Sequence, residues 1–309
     1  MLEVGMLPAA FAADLLFGEP PEAVHPVVWI GRLVGWFERV PVTGRARQLA
    51  YGVGMVAVGL ALCVLPTWLI LTWLREQAPL AYLALGAYLL KSTFSIRGLF
   101  RAAEAVRQSL AAGDIPLARG ELRALVSRDV ANLDEQLIAA AAVESLAENS
   151  SDSLVAPLFY FVVFGVPGAL AYRVINTFDA MVGYHGRYEY LGKAAARLDD
   201  LANLVPARLT ALLLVAAVAL RGGRAARAWS AIRRYRGVTE SPNAGWPMSA
   251  MAGALGVSLE KVGHYRLGDG PALPNAESIR QAGRLTGTAV VLATVCSLVL
   301  LVVRGVYFA

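Results

Sequence analysis

Glu144, Glu148 and Asp152 recur every fourth residue in the stretch ESLAENSSDS, 144–153. On a helix that spacing puts three carboxylates on one face, where like charges cost roughly a few tenths of a kcal/mol per pair. The residues that follow, LVAPLFYFVVFGVPGALAY, are almost wholly apolar, so the acids stand at the doorway of an apolar segment. One reading is a solvated face near a membrane surface. The other is a cation site. Carboxylates with Asn149 and Ser150 beside them are hard oxygen donors, and Mg²⁺ takes one or two protein carboxylates and completes its shell with water and phosphate. A divalent ion would also relieve the repulsion.

Two further acidic groups lie downstream. YRVINTFDAMVGY, 172–184, carries Arg173, Asn176, Asp179 and Tyr184, with Asn176 and Asp179 three apart and able to share a helix face. RLDDLANLVPAR, 197–208, carries Asp199, Asp200 and Asn203 ahead of Pro206 and Arg208. Asp199 and Asn203 share a face at four apart; Asp200 points elsewhere and reads as a surface charge. Together the three groups could form a carboxylate-rich pocket for one or two metal ions bridging a nucleotide. Ser241–Gly245, SPNAG, reads as a turn into a helix with Pro247 in or near its first turn, a junction that can hold a phosphate or carboxylate. It is not a Walker loop, because GxxxxGK[ST] occurs nowhere in the chain.

Cations and histidines complete the inventory. His25 is held extended by Pro26, and Arg32 shares a helix with Trp29 and Trp36, which read as interface anchors. Lys91 and Arg97 end an apolar segment. They either snorkel to the surface or face the bundle interior as cations for phosphate or carboxylate. His185 and His264 lack a partner at ligand spacing, so no zinc site is expected.

These groups must be positioned by a membrane protein. The chain has 309 residues, 57% hydrophobic and 17% charged, against about 45–50% apolar and about 25% charged for a soluble domain. A net charge of +5 suits an anionic membrane leaflet or anionic small substrates. Nucleic acid is not an expected partner, because no basic run is interleaved with aromatics. Cys63 and Cys296 lie in apolar runs and read as buried thiols. The first residues carry Glu3 and no basic stretch, so a cleaved signal peptide is not expected. The fold expected is all-α: a polytopic integral membrane protein with interrupted membrane segments and cytoplasmic amphipathic helices, forming a single membrane-embedded catalytic domain over 1–309 with no separate soluble domain.

Residues 49–74 and 286–303 have the length and polarity of spanning helices. Residues 80–100 begin as one but carry Lys91 and Arg97, and 2–17 is short and contains Asp14. Residues 154–178 are broken by Pro157, Gly165, Pro167 and Gly168, and 203–220 opens with Pro206 and Arg208. If all six cross, loops 18–48, 101–153 and 221–285 share a side and hold four, five and ten of the chain's 28 Lys and Arg, which makes that side cytoplasmic. The chemistry-bearing loop 179–206 would then lie outside. Interrupted segments often stop at a buried site instead of crossing, so 154–178 and 203–220 are expected to dip in and bring that loop to the cytoplasmic cavity.

Six stretches in order, DLLFGEPPEAVHPVVWIGRL, LVSRDVANLDE, AVESLAENSSDSLVAPLFY, GVPGALAYRVINTFDAMVGY, GKAAARLDDLANLVPARLTALL and SPNAGWPMSAMAGALGV, run from residue 14 to beyond 257. As a set they resemble the adenosylcobinamide-phosphate synthase family of cobalamin biosynthesis membrane proteins. Ser153 departs from the pattern, where a glycine is expected. The resemblance implies a multi-pass inner-membrane ligase with its active site toward the cytoplasm. Such an enzyme joins adenosylcobyric acid to (R)-1-amino-2-propanol O-phosphate with ATP and Mg²⁺, giving adenosylcobinamide phosphate. It implies Glu144, Glu148, Asp179 and Asp199 as catalytic carboxylates, with Glu148, Asp152 and Asp179 on the metal. Nucleotide and substrate would be held by His25, Arg32, Lys91, Arg128, Asn149, Asn176, Asn203, Arg208, Ser241 and Asn243. A homo-oligomer, or association with other enzymes of the pathway, is compatible with it. The rival classes are a transporter, which equally tolerates broken helices and intramembrane charges, and a corrinoid-binding scaffold without ligase turnover.

Overall fold

Long apolar runs leave the helix as the structure that satisfies every backbone N–H and C=O internally. The computed structural model, which describes residues 2–184, 186 and 188–307, is accordingly helical. In chain order the helices are α1 (Leu2–Phe17), α2 (Pro26–Phe37), α3 (Arg45–Gln77), α4 (Pro79–Ser92), α5 (Ile96–Ala111), α6 (Ile115–Leu122), α7 (Glu135–Ser150), α8 (Ala156–Val182), α9 (Lys193–Ala202), α10 (Leu204–Leu220), α11 (Ala225–Tyr235), α12 (Gly245–Leu255) and α13 (Ala276–Tyr307). A π-helical turn, Ser151–Val155, joins α7 to α8. The expected all-α fold gains one small hairpin, β1 (Leu259–Lys261) with β2 (Tyr265–Leu267). Its three-residue turn works because Gly263 takes φ +78°. His185 lies outside the described residues.

Among the described residues three helical stretches are long and apolar enough to cross a membrane: α3, the run Glu135–Val182, and α13. A fourth exists if α9 and α10, bent by 45° at Asn203, count as one broken span. The lipid-facing character of α3 is plain from its exposed Leu62, Leu65, Trp68, Leu69 and Trp73. The interruption expected within 154–178 falls at Gly165, which adopts φ +71°, ψ −164° inside α8. The expected segment 80–100 is not one helix. α4 stops at Ser92 after 14 residues, where the Ser92 and Thr93 hydroxyls each donate at 2.7 Å to the carbonyls of Leu89 and Leu90. Nor are the cysteines both buried: Cys63 is half-buried, and Cys296 is exposed on α13 among apolar neighbours.

The chain clusters into two compact units, each discontinuous in sequence. The first comprises Met1–Ser95, Ala156–Asn203 and Cys296–Ala309. Its core packs Ile30, Val34 and Phe37 of α2, Met55 and Val56 of α3, and Leu170, Val174 and Phe178 of α8. Gly59 admits the Phe178 ring, since a Cβ there would lie 2.5 Å from it. Emptying such an aromatic site costs about 3–5 kcal/mol. The second unit comprises Ile96–Val155 and Leu204–Val295. Its centre is α7, whose residues 138–147 are all buried against α5, α6, α12 and β1. Small side chains, Ala139 to Ala142, let those neighbours approach closely. Pairing of α11 with α12 likewise rests on Gly253, where a Cβ would stand 2.6 Å from that of Ala231.

Candidate functional site

The acidic face belongs to the second unit. Asp134 caps α7, its carboxylate accepting from the Leu137 N–H at 2.9 Å. Along the helix Glu144 is buried, Glu148 exposed, and Asp152 half-buried on the π-turn. The wider turn interrupts the straight row that α-helical spacing implies, a feature frequent at functional sites. Glu144 Oε2 accepts from Arg128 Nη2 at 3.0 Å, and its Lys261 neighbour comes from β1. Tyr265 of β2 joins them: burial, then the Glu144 and Glu148 charges, raise its hydroxyl above the ordinary phenol range.

A polar spine runs beside the acids. Asn149 Nδ2 donates to the Ser145 carbonyl and hydroxyl, both at 3.0 Å, and Ser153 Oγ donates to Asn149 Oδ1 at 3.0 Å. Ser145 Oγ continues it to the Leu125 carbonyl at 2.8 Å. Asn149 therefore braces the π-turn, and Ser153, the departure from the expected glycine, supplies its partner.

On the same unit α10 and α12 build a cationic cradle. Arg208 Nη1 donates to the Leu204 carbonyl at 2.6 Å and to Asn243 Oδ1 at 3.0 Å. Ser241 Oγ accepts from the N–H groups of Asn243 and Ala244 at 3.2 and 3.4 Å, holding the turn that opens α12. Arg208 and Arg236 both lie over the Trp246 ring, 4.7 and 5.3 Å from its centre. Among the described residues neither guanidinium pairs with a carboxylate. Two cations on one ring, with no carboxylate at ion-pair distance among the described residues, leave this end of α10 and α12 positively charged. The π-turn packs on α10 and α12 packs on α7, so acidic face and cradle share one compact unit.

The first unit holds the other predicted carboxylates. Asp199 accepts from Asn176 Nδ2 at 3.2 Å on one oxygen and from Asn203 Nδ2 at 3.0 Å on the other. Tyr172 donates to Asn203 Oδ1 at 3.0 Å, and Arg173 to Asn176 Oδ1 at 3.3 Å. Asp179 lies folded over Gly183, where a Cβ would stand 2.0 Å from its Oδ1. Asp200 is half-buried and lies 3.7 Å from the exposed Arg197.

Lys91 faces inward. It is 2% exposed and bridges Asp14 Oδ1 at 3.1 Å and Glu19 Oε2 at 2.7 Å. His25 is fixed at both nitrogens: Nδ1 accepts from the Val27 N–H at 3.2 Å, capping α2, and Nε2 donates to Glu19 at 3.0 Å. Burial works to raise the Glu19 carboxyl, but hydrogen bonds from His25, Lys91 and Ser95 and the Lys91 charge hold it at about 2. Lys91 and His25 are thus members of an ion cluster; sequence reasoning noted Asp14 only as a charge in a short apolar segment and did not single out Glu19. Arg236, Trp246 and Tyr265 were missed as well, because stacking partners leave no spacing rule. Arg32 is exposed on α2, and exposed His264 sits 3.4 Å from Glu240. Elsewhere Arg304 donates to Glu3 and to the Val162 carbonyl beside the Gly165 break.

Among the described residues no three His, Cys, Asp or Glu side chains converge as a metal cage. Mg²⁺ needs fewer, one or two carboxylates with phosphate and water. Glu148 and Asp152, hard donors outside the buried core, fit that requirement.

A family model described as CobD/Cbib protein matches residues 7–293. The cobalamin biosynthesis protein CobD of Dehalococcoides mccartyi is 46% identical over 308 residues, 97% of this chain and 96% of that one. Proteins named "Probable cobalamin biosynthesis protein CobD" match at 42% in Pyrococcus furiosus, over 89% of this chain and 91% of that one, and at 41% in Methanothermobacter thermautotrophicus, over 96% and 97%. No solved structure matches.

Proposed function

Since the chain belongs to the CobD/Cbib family and is a multi-pass membrane protein of cobalamin biosynthesis, we propose that it is adenosylcobinamide-phosphate synthase. In this reading it joins adenosylcobyric acid to (R)-1-amino-2-propanol O-phosphate, with ATP and Mg²⁺, on the cytoplasmic side of the inner membrane. The observation that carries the proposal is the pairing, within one unit, of the Glu148–Asp152 face with the Arg208–Asn243–Trp246–Arg236 cradle. One suits a hydrated hard cation and the other a phosphate.

Amide formation from a carboxylate requires activation. The propionate oxygen attacks the terminal phosphorus of ATP and ADP leaves; the amine then attacks the acyl carbon, phosphate leaves and the amine gives up a proton. Both steps bring anions together, so the protein's contribution is mainly charge placement. Glu148 and Asp152 would hold Mg²⁺, which when bound offsets the charge of the nucleotide phosphates. Arg208 and Arg236 neutralise a phosphate, and Asn243 holds the Arg208 guanidinium in place. Glu144 orients Arg128 through its ion pair. Asp179 and Asp199 stay in the proposal as catalytic carboxylates, Asp199 held rigid by its two amide donors. A carboxylate of this kind can take the proton of an attacking amine.

The test is mass-spectrometric detection of the amide. Purified protein is incubated with adenosylated cobyric acid, aminopropanol phosphate and Mg-ATP, with no-ATP and Glu148→Gln controls. Product that needs both ATP and the native glutamate supports the ligase. Tight corrinoid binding without product overturns it in favour of a scaffold or carrier.

A further inference from the structure

The ends of α10 and α12 and the start of α13 line an open cavity of about 330 Å³ that the ligase reading does not use. Arg221 and Arg284 stand at it over apolar walls of Val218, Leu255 and Leu285. One acid, Glu277, also lines it, but its carboxylate is taken by a two-pronged bond from Arg280, 2.7 Å on each oxygen, and by Gln281 at 2.9 Å. Among the described residues neither Arg221 nor Arg284 has a carboxylate at ion-pair distance, although Glu277 lies within charge range of Arg284.

The cavity also sits at a polarity boundary. The apolar run of α10 ends at Leu220, immediately before Arg221, and that of α13 begins immediately after Arg284. Arg221 Nη1 donates to Thr288 Oγ1 at 3.2 Å, so the two helix ends lie side by side. On the apolar side of this boundary Leu212, Leu220, Val291 and Val295 are exposed, as lipid-facing residues are. Gly223 keeps the rim open: a Cβ there would stand 2.8 Å from Val218 Cγ1. Two guanidiniums with no direct ion pair among the described residues, at the edge of a membrane layer and above an apolar floor, have the chemistry of a headgroup site.

We propose that this cavity binds an anionic glycerophospholipid, with Arg221 and Arg284 on its phosphate and Val218, Leu255 and Leu285 against the glycerol and the first acyl methylenes. The loop that carries it, 221–285, is the most basic of the chain, which matches an anionic leaflet.

Native mass spectrometry of the detergent-solubilised full chain tests this with phosphatidylglycerol, phosphatidylcholine and inorganic phosphate as probes. The wild type should retain phosphatidylglycerol over phosphatidylcholine, and the lipid should raise its thermal midpoint where inorganic phosphate does not. Arg221→Gln/Arg284→Gln should weaken phosphatidylglycerol binding roughly tenfold or more. Arg224→Gln/Arg233→Gln, matched in charge but outside the cavity, should leave it within about twofold. Equal losses in the two pairs would reduce the effect to diffuse surface charge and overturn the site. A midpoint shift reproduced by inorganic phosphate would replace the lipid with a soluble anion. If the double variant does not fold, Arg284→Gln alone serves, since that side chain is exposed and makes no described hydrogen bond; unchanged retention in it would count against the proposal.

Discussion

Glu144 and Arg128 meet at 3.0 Å across 16 residues of sequence, the carboxylate buried and the guanidinium about one-fifth exposed. The first acid of the row is therefore committed to a protein cation, which separates its work from that of Glu148. Glu144→Ala should cost roughly 3 kcal/mol, because it strands a partly buried charge. Arg128→Met/Glu144→Met should be more stable than either single variant. Thermal unfolding in detergent reads this cycle, and strict additivity would show that the two groups are not coupled.

Glu148 is exposed, so Glu148→Gln should leave the fold unchanged while lowering ATP-dependent turnover by ~100-fold or more. A variant with near-normal product formation would remove Glu148 from the metal.

In the cradle, Arg208→Lys keeps the charge but loses the flat stacking on Trp246 and the fixed donor to Asn243. It should raise KM for aminopropanol phosphate or ATP by about tenfold with little change for the corrinoid, and Asn243→Ala should act in the same direction. Initial rates with each substrate varied in turn would show it. Equal effects on all three substrates would mark the turn as structural.

Gly183→Ala should displace Asp179, since the added methyl would stand 2.0 Å from Oδ1. Activity should fall strongly, whereas Gly35→Ala, with nothing within 4 Å, should be neutral or slightly stabilising. Side-by-side rates and unfolding midpoints check the contrast.

The Glu19 carboxyl is held at about 2 against an ordinary 4.5. A depressed carboxyl contributes stability above its unfolded value and loses it as pH falls through the folded one. The Lys91–Glu19–His25 cluster should weaken between pH about 4.5 and about 2, and Glu19→Gln should flatten that part of the stability profile. Unfolding midpoints across the window decide it, and parallel profiles for the two proteins would dismiss the cluster.

Much of this was legible from local pattern. The apolar runs announced α3 and α13, and Pro167 beside Gly165 announced the break in α8, because a missing N–H and a permissive glycine act on their own turn of helix. Pairing Asp199 with Asn176 and Asn203 was half legible: Asn203 lies one turn away, whereas Asn176 reaches it from another helix. The segment 80–100 misled because hydropathy does not register hydroxyls that end a helix.

What the sequence determined by itself was the helical, membrane-bound class and the residue types of the site, since composition and period act within a few residues of each position. Tertiary structure alone decided which charge serves which partner. Lys91 went to Asp14 and Glu19, Glu144 to Arg128, while Arg208 and Arg236, without a carboxylate among the described residues, came to lie over Trp246. Coulomb and stacking energies depend on separations of a few ångströms, and in a folded chain those are set by packing between helices remote in sequence.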